Sequence, residues 1–269
     1  MAVTTGLTGA VASWAGTFNA AMLALIKPAT FSMNNPGIAL DTTGFTVGNA
    51  GVVKTKIPGL RSWSGSIGGY LATPATGILG NLSTSGSEYV ANVRAWDMSL
   101  TCDVIGSGGE ATGFNPTGGW MDMYPGLVTA GGSFECMVDS STALTLATAA
   151  GASLSTLTFT ITTGQTLACS AIITAADITE TIGQLNVIKF NYEATGHVTV
   201  VGSSNVIPAA VAQATPVAGS LVLTVSEQGA SDKQLSGSAF WTKIGVKVSP
   251  GTVTAVDIGF QGSGALTPA

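Results

Sequence analysis

Pieces of this chain repeat, and they repeat in a nested order. The stretch Ile57-Pro58-Gly59-Leu60, followed by Gly65-Ser66-Ile67, returns as Tyr124-Pro125-Gly126-Leu127, followed by Gly132-Ser133-Phe134. Further on, Leu235 to Thr267 aligns without a gap to Leu167 to Thr199. The order is therefore front, front, back, back, where tandem duplication would give front, back, front, back. One domain inserted into a copy of itself produces this order, and an internal repeat constrains the fold before any local propensity is weighed. The expected division is an outer domain of residues 1–84 together with 204–269, and an inserted domain of residues 85–203. A subunit with two like domains can build a ring with twice as many domains as chains.

The aligned blocks match in chemistry as well as spacing. Ala171-Ile172-Ile173-Thr174 falls on Ala239-Phe240-Trp241-Thr242, Phe190 and Tyr192 fall on Ile258 and Phe260, and Gly196 falls on Gly264. Upstream, Leu157 to Ile161 corresponds to Leu221 to Val225. Period-two alternation runs through these blocks. Trp96, Met98, Leu100 and Cys102 share one face, with Asp97, Ser99, Thr101 and Asp103 on the other. Ile188, Phe190 and Tyr192 alternate with Val187, Lys189, Asn191 and Glu193 in the same way. Such alternation marks strands with one buried face. The expected class is all-β, as two similar sandwich- or barrel-like domains, one inserted in the other. One short helix per domain is expected, the candidates being Phe18 to Ile26, Ser141 to Ala150, and the latter's counterpart Pro208 to Ala214.

Only 9% of the 269 residues are charged and the mean hydropathy is +0.45. Disorder needs the opposite, low hydrophobicity with high charge. So few charges point either to a surface covered by neighbours or to a β protein with a Ser/Thr surface. The apolar run Ala20 to Ile26 is too short to span a bilayer. Residues Met1 to Asn19 hold no Lys or Arg, so neither export nor a membrane anchor is expected. Cys102, Cys136 and Cys169 have no CxxC spacing and are expected to be buried free thiols. Residues 85–203 hold ten acids and two bases, a net of −8; the remainder holds four acids and seven bases, a net of +3. Opposite charges on two domains favour alternating contacts between them, although drift in two unconstrained surfaces produces the same asymmetry.

Little in the chain points to catalysis. The single histidine, His197, aligns with Ala265, so the shared fold does not need it, and a surface or packing role is expected. There is no GxSxG, HExxH or P-loop pattern. No cofactor or metal is expected, and no enzyme. Fourteen carboxylates could supply a hydrolytic pair, but nothing singles one out. A pI near 4.6 and nine bases disfavour nucleic-acid binding. A surface past which DNA slides should not hold phosphate, because bases that neutralise phosphates bind it. Asp97, Asp103, Glu135 and Asp139 fall on polar faces of expected strands and either line such a wall or are simply solvated.

The inserted copy resembles the major tail tube protein of long-tailed, siphovirus-like bacteriophages. The resemblance is carried by the opening strand Val93 to Thr101, by Gly119-Trp120 leading to Tyr124-Pro125-Gly126-Leu127, by Gly132 to Glu135, and by the Ile172 to Thr199 hairpin. In the outer copy it is carried by Ile57 to Ser66 and by Ile258 to Thr267. It implies β-sandwich or barrel-like domains whose sheet edges join around a ring, with rings stacked into a hollow tube through which DNA passes during genome ejection. The family's usual ring is a hexamer of one-domain subunits. Two domains per chain imply instead a homotrimer with pseudo-hexameric symmetry. The implied partners are the chain itself, the tape measure protein in the lumen, the tail terminator and distal tail proteins, and phage DNA passing without specific binding. The implied location is the virion, after assembly in the host cytoplasm. On this reading Pro58-Gly59 and Pro125-Gly126 form turns, Leu60 and Leu127 anchor them in each core, and Gly65 and Gly132 allow close backbone approach at a bend. The N-terminal stretch to about Asn35 is either an arm between stacked rings or a buried first strand. The alternatives are another tail ring protein (terminator, neck or distal tail), or a carbohydrate-binding or adhesin module.

Overall fold

Branched and aromatic residues alternating with Ser, Thr and Gly suit a pleated sheet, and the chain is all-β. A computed structural model describes residues 10–11, 26–34, 37–42, 55–71, 82–84, 87–90, 93–107, 119–137, 150–151, 153–162, 165–180, 182–183, 186–201, 216, 218–225, 233–249 and 255–268. Among them are sixteen strands and no helix. They are β1 (Ala10–Val11), β2 (Ile26–Asn34), β3 (Gly37–Thr42), β4 (Thr55–Arg61), β5 (Ser64–Leu71), β6 (Leu82–Thr84), β7 (Ser87–Val90) and β8 (Val93–Ser107). After them come β9 (Asp122–Met137), β10 (Ser153–Thr162), β11 (Gln165–Thr179), β12 (Val187–Ala194), β13 (Thr199–Val201), β14 (Gly219–Val225), β15 (Lys233–Val248) and β16 (Ala255–Pro268). The three expected helices fall outside the described residues, except that Ile26 opens β2 and Ala150 sits in a turn. Pro28 lies within β2 beside a bulge, a sheet position that proline tolerates.

Twelve strands form one antiparallel sheet in the order β10-β11-β12-β9-β8-β15-β16-β5-β2, with β14 joined to β15, β1 to β14, and β13 to β11. Two five-strand runs lie within this sheet, β10-β11-β12-β9-β8 and β14-β15-β16-β5-β2. Their ladders share a register. Ile173 faces Tyr192, a bulge follows, and Ala175 faces Asn191; 68 positions on, Trp241 faces Phe260, a bulge follows, and Lys243 faces Gly259. Tyr192 faces Gly132 and Phe190 faces Phe134, while Phe260 faces Gly65 and Ile258 faces Ile67. Trp96 faces Phe134 across a pair with a bulge between Val93 and Ala95; Phe31 faces Ile67 across a pair with a bulge between Pro28 and Thr30. Part of the N-terminal stretch thus forms β2, at the place in its run that β8 holds in the other.

The Pro-Gly-Leu motifs are not turns. Pro125, Gly126 and Leu127 lie inside β9, and Pro58, Gly59 and Leu60 inside β4. Gly126 and Leu127 together oppose Asp103, because Cys102 pairs with Val128 and Val104 with Pro125. Gly59 and Leu60 oppose Ile38 in the same way, between the pairs Gly37–Arg61 and Ala39–Pro58. Each motif is a bulge, with two residues against one. A Cβ on Gly126 would lie 3.0 Å from the Asp103 Cβ and 3.1 Å from its carbonyl oxygen, and among the described residues positive φ occurs at other glycines. Close approach, not turn geometry, is what this glycine provides.

The larger core cluster spans both runs, from Trp96 and Phe159 to Trp241, Ile244 and Val246. Trp96 on β8 stacks on Phe159 on β10 with centroids 4.9 Å apart, although these strands stand at opposite ends of their run. Phe134, Phe190 and Tyr192 fill the space between. A smaller cluster joins Leu221 of β14 to Ile67 of β5, with Trp63, Ala239 and Phe260. Aromatic side chains are the largest members of both clusters, and each contributes about 1.5–3 kcal/mol through burial. The runs meet where residues 96–101 of β8 pair with 243–248 of β15.

Candidate functional site

Residues that alternate with the core present a polar face. On it Asp177 faces Lys189, and Lys189 faces Glu135 on the next strand. Across the junction Asp97 faces Lys247, and the Asp97 carboxylate also accepts hydrogen bonds from the Ser133 amide, at 3.3 Å, and from its hydroxyl. Lys243 and Asp257 form an ion pair of 3.2 Å, each side chain about half exposed at 50% and 48%. A depression of about 310 Å³ is lined by Arg94, Asp97, Glu135, Lys189 and Lys247. On this surface Lys189 lies between Asp177 and Glu135, and Lys247 lies opposite Asp97.

Asp97 and Glu135 border the same depression; Asp103 is exposed farther along β8, at the bulge; Asp139 lies outside the described residues. Of the repeat residues, Pro125 and Gly126 are half-buried, and Leu60 is half-buried against Gly119. Leu127 is not a core anchor, because it is 77% exposed. Burial at this point depends on what packs over the hairpin, which the apolar character of Leu127 does not determine. Gly132 does allow close approach: a Cβ there would collide with the Asp97 carbonyl oxygen. It sits in mid-strand rather than at a bend. Gly65 faces Phe260 as Gly132 faces Tyr192, and Pro58 and Gly59 keep their places in β4.

His197 is exposed, and among the described residues no three His, Cys, Asp or Glu side chains are grouped to hold a metal. The three cysteines are buried and form no disulfide. Burial pushes the Cys169 thiol up to about 11. Cys102 is raised chiefly by burial, opposed by the backbone at Gly126 and aided by the charge of Asp103. Neither thiol has the lowered pKa of a reactive nucleophile.

Two surfaces lie beyond the expected site residues. The distal half of the β8–β9 hairpin exposes Val104, Ile105, Tyr124 and Leu127. Its loop end is tied to the other run: the Met123 amide donates to Ser263 Oγ at 3.0 Å, and the Gly264 amide donates to the Met121 oxygen at 3.1 Å. The second surface is the end of β11, where Ile178 is 56% exposed. The gapless alignment points to it, because Ile178 falls on Val246, which is 1% exposed. No protein-family model matches this chain, and no curated protein and no solved structure matches it.

Proposed function

We propose that this chain is a structural virion protein that self-assembles into stacked rings, forming the hollow tail tube through which phage DNA passes. The observation that carries this reading is the five-strand pattern present twice in one register and joined to itself edge to edge through β8 and β15. We read the two runs as copies of one domain, the inserted one within residues 85–203 and the other on either side of it. The internal junction then serves as one contact of the ring, and three chains supply six positions. The junction sets Asp97 of the acidic half against Lys247 of the basic half, which favours contact between unlike halves over contact between like ones. In the assembled tail the partners are the tape measure protein inside the tube, the terminator and distal tail proteins at its ends, and DNA in transit. A polar face with paired charges suits transit, because it offers no surplus of bases to hold phosphate.

Electron microscopy of the purified protein at high concentration tests the reading. Hollow tubes or stacked rings with six lobes and threefold modulation are expected. Single rings that never stack would move the protein to a terminator, neck or distal tail role. Six chains per ring by native mass measurement would overturn the trimer, and dispersed monomers at every concentration would count against ring assembly altogether.

A further inference from the structure

We propose that neighbouring subunits join by antiparallel pairing of the outer edge of β2 in one copy with residues 177–180 of the next, in the register of the β8–β15 junction. Inside the chain, that junction pairs Met98 with Val246, Asp97 with Lys247 and Trp96 with Val248. Its two sides have register equivalents elsewhere. Phe31, Ser32 and Met33 of β2 hold the places of Trp96, Asp97 and Met98, because each set faces matching positions on β5 and β9. Ile178, Thr179 and Glu180 hold the places of Val246, Lys247 and Val248. Both equivalents stand open. Among the described residues β2 has β5 as its one strand neighbour, and from Thr174 to Thr179 β11 pairs with β12 alone.

Exposure follows this difference. Val246 and Val248 are buried at 1% and 8%, whereas Ile178 is 56% exposed and Glu180 is exposed. A bare strand edge with an exposed Ile at its centre is a template for another strand. The occupant that fits is a second copy of this chain, because its β2 carries the residue places already seated on the matching edge within each chain. In that register Met33 faces Ile178, Ser32 faces Thr179 and Asn34 faces Asp177. The contact is head to tail, so it generates a ring if the rotation closes and a filament if it does not. Only the closure rests on the tail tube reading; the pairing itself needs nothing but a second copy.

Chains with one added cysteine test it, the three native thiols being buried. Mixing S32C with T179C is expected to give disulfide-linked dimers, and neither chain alone should do so. Mixing S32C with D177C, one diagonal away, should give roughly tenfold fewer, because opposite Cβ atoms lie about 5 Å apart and diagonal ones about 7–8 Å. Ile178→Glu is expected to abolish assembly while leaving the monomer's Tm unchanged, since the side chain is exposed. Rings that form without the S32C–T179C link overturn the pairing and spare the ring. Linked chains that never close uphold the pairing and overturn the ring. A monomer at every concentration, with no link, overturns both.

Discussion

The Tyr192 hydroxyl donates a hydrogen bond of 3.0 Å to the carbonyl oxygen of Asp97, across the space that a side chain at position 132 would fill. Tyr192 lies opposite Gly132, which in turn lies opposite Met98. The ring therefore crosses a whole strand, and only glycine leaves it room. Gly132→Ala is expected to lower stability by about 1–3 kcal/mol through overpacking. Gly196→Ala, with open space around its Cβ, should stay within about 0.5 kcal/mol of the parent. Urea denaturation of both variants measures the difference.

Two buried tryptophans should respond differently to loss of the indole nitrogen. Trp63 Nε1 donates to the Gly264 oxygen at 3.1 Å, and its ring meets Phe260 edge-on at 6.1 Å. Trp96 Nε1 is buried with no hydrogen-bond partner among the described residues. Phenylalanine shrinks the ring at either site, but only at position 63 does it also break a bond. Trp63→Phe should therefore cost about 1 kcal/mol more than Trp96→Phe, read from paired thermal or denaturant unfolding. Equal losses would show that the Trp63 bond contributes nothing.

Stability should fall in alkali, with Cys169 as one cause. Its folded pKa lies near 11 against an ordinary 9.0, because burial disfavours the thiolate. Below pH 9 the thiol is protonated in both states and its contribution is fully present. Between about 9 and 11 the unfolded chain releases the proton while the folded one keeps it, so unfolding gains and stability declines with rising pH. Tyr192 is raised in the same sense, by burial first, then by Cys169 and Asp97. Cys169→Ala should flatten the decline over that window relative to its own value at pH 8, as followed by denaturant midpoints. An unchanged slope would remove Cys169 as a cause.

Much of this was legible in the letters. The alternation of Trp96, Met98, Leu100 and Cys102 marked one face, and all four are buried. The gapless match of Leu167–Thr199 to Leu235–Thr267 carried the ladder register, because a strand pair that keeps its spacing keeps its partners. The Pro-Gly motifs suggest turns from their letters but form bulges, since proline and glycine serve both and only the opposite strand distinguishes them. The polar-face acids were legible as solvent-facing, but the lysines beside them come from strands far away in sequence.

Period-two chemistry by itself determined that this chain is a β protein and which side chains seek the interior, because a pleated strand turns alternate residues to opposite faces. The repeated spacing determined that two runs of strands share a register. Only the tertiary structure decided that the runs meet through β8 and β15 and that each curls until Trp96 reaches Phe159 or Leu221 reaches Ile67. It alone left Ile178 bare where Val246 is covered. The physical reason is that strand neighbours across a junction are chosen by which edges remain open after local pairing is complete, and no residue encodes that in its own identity.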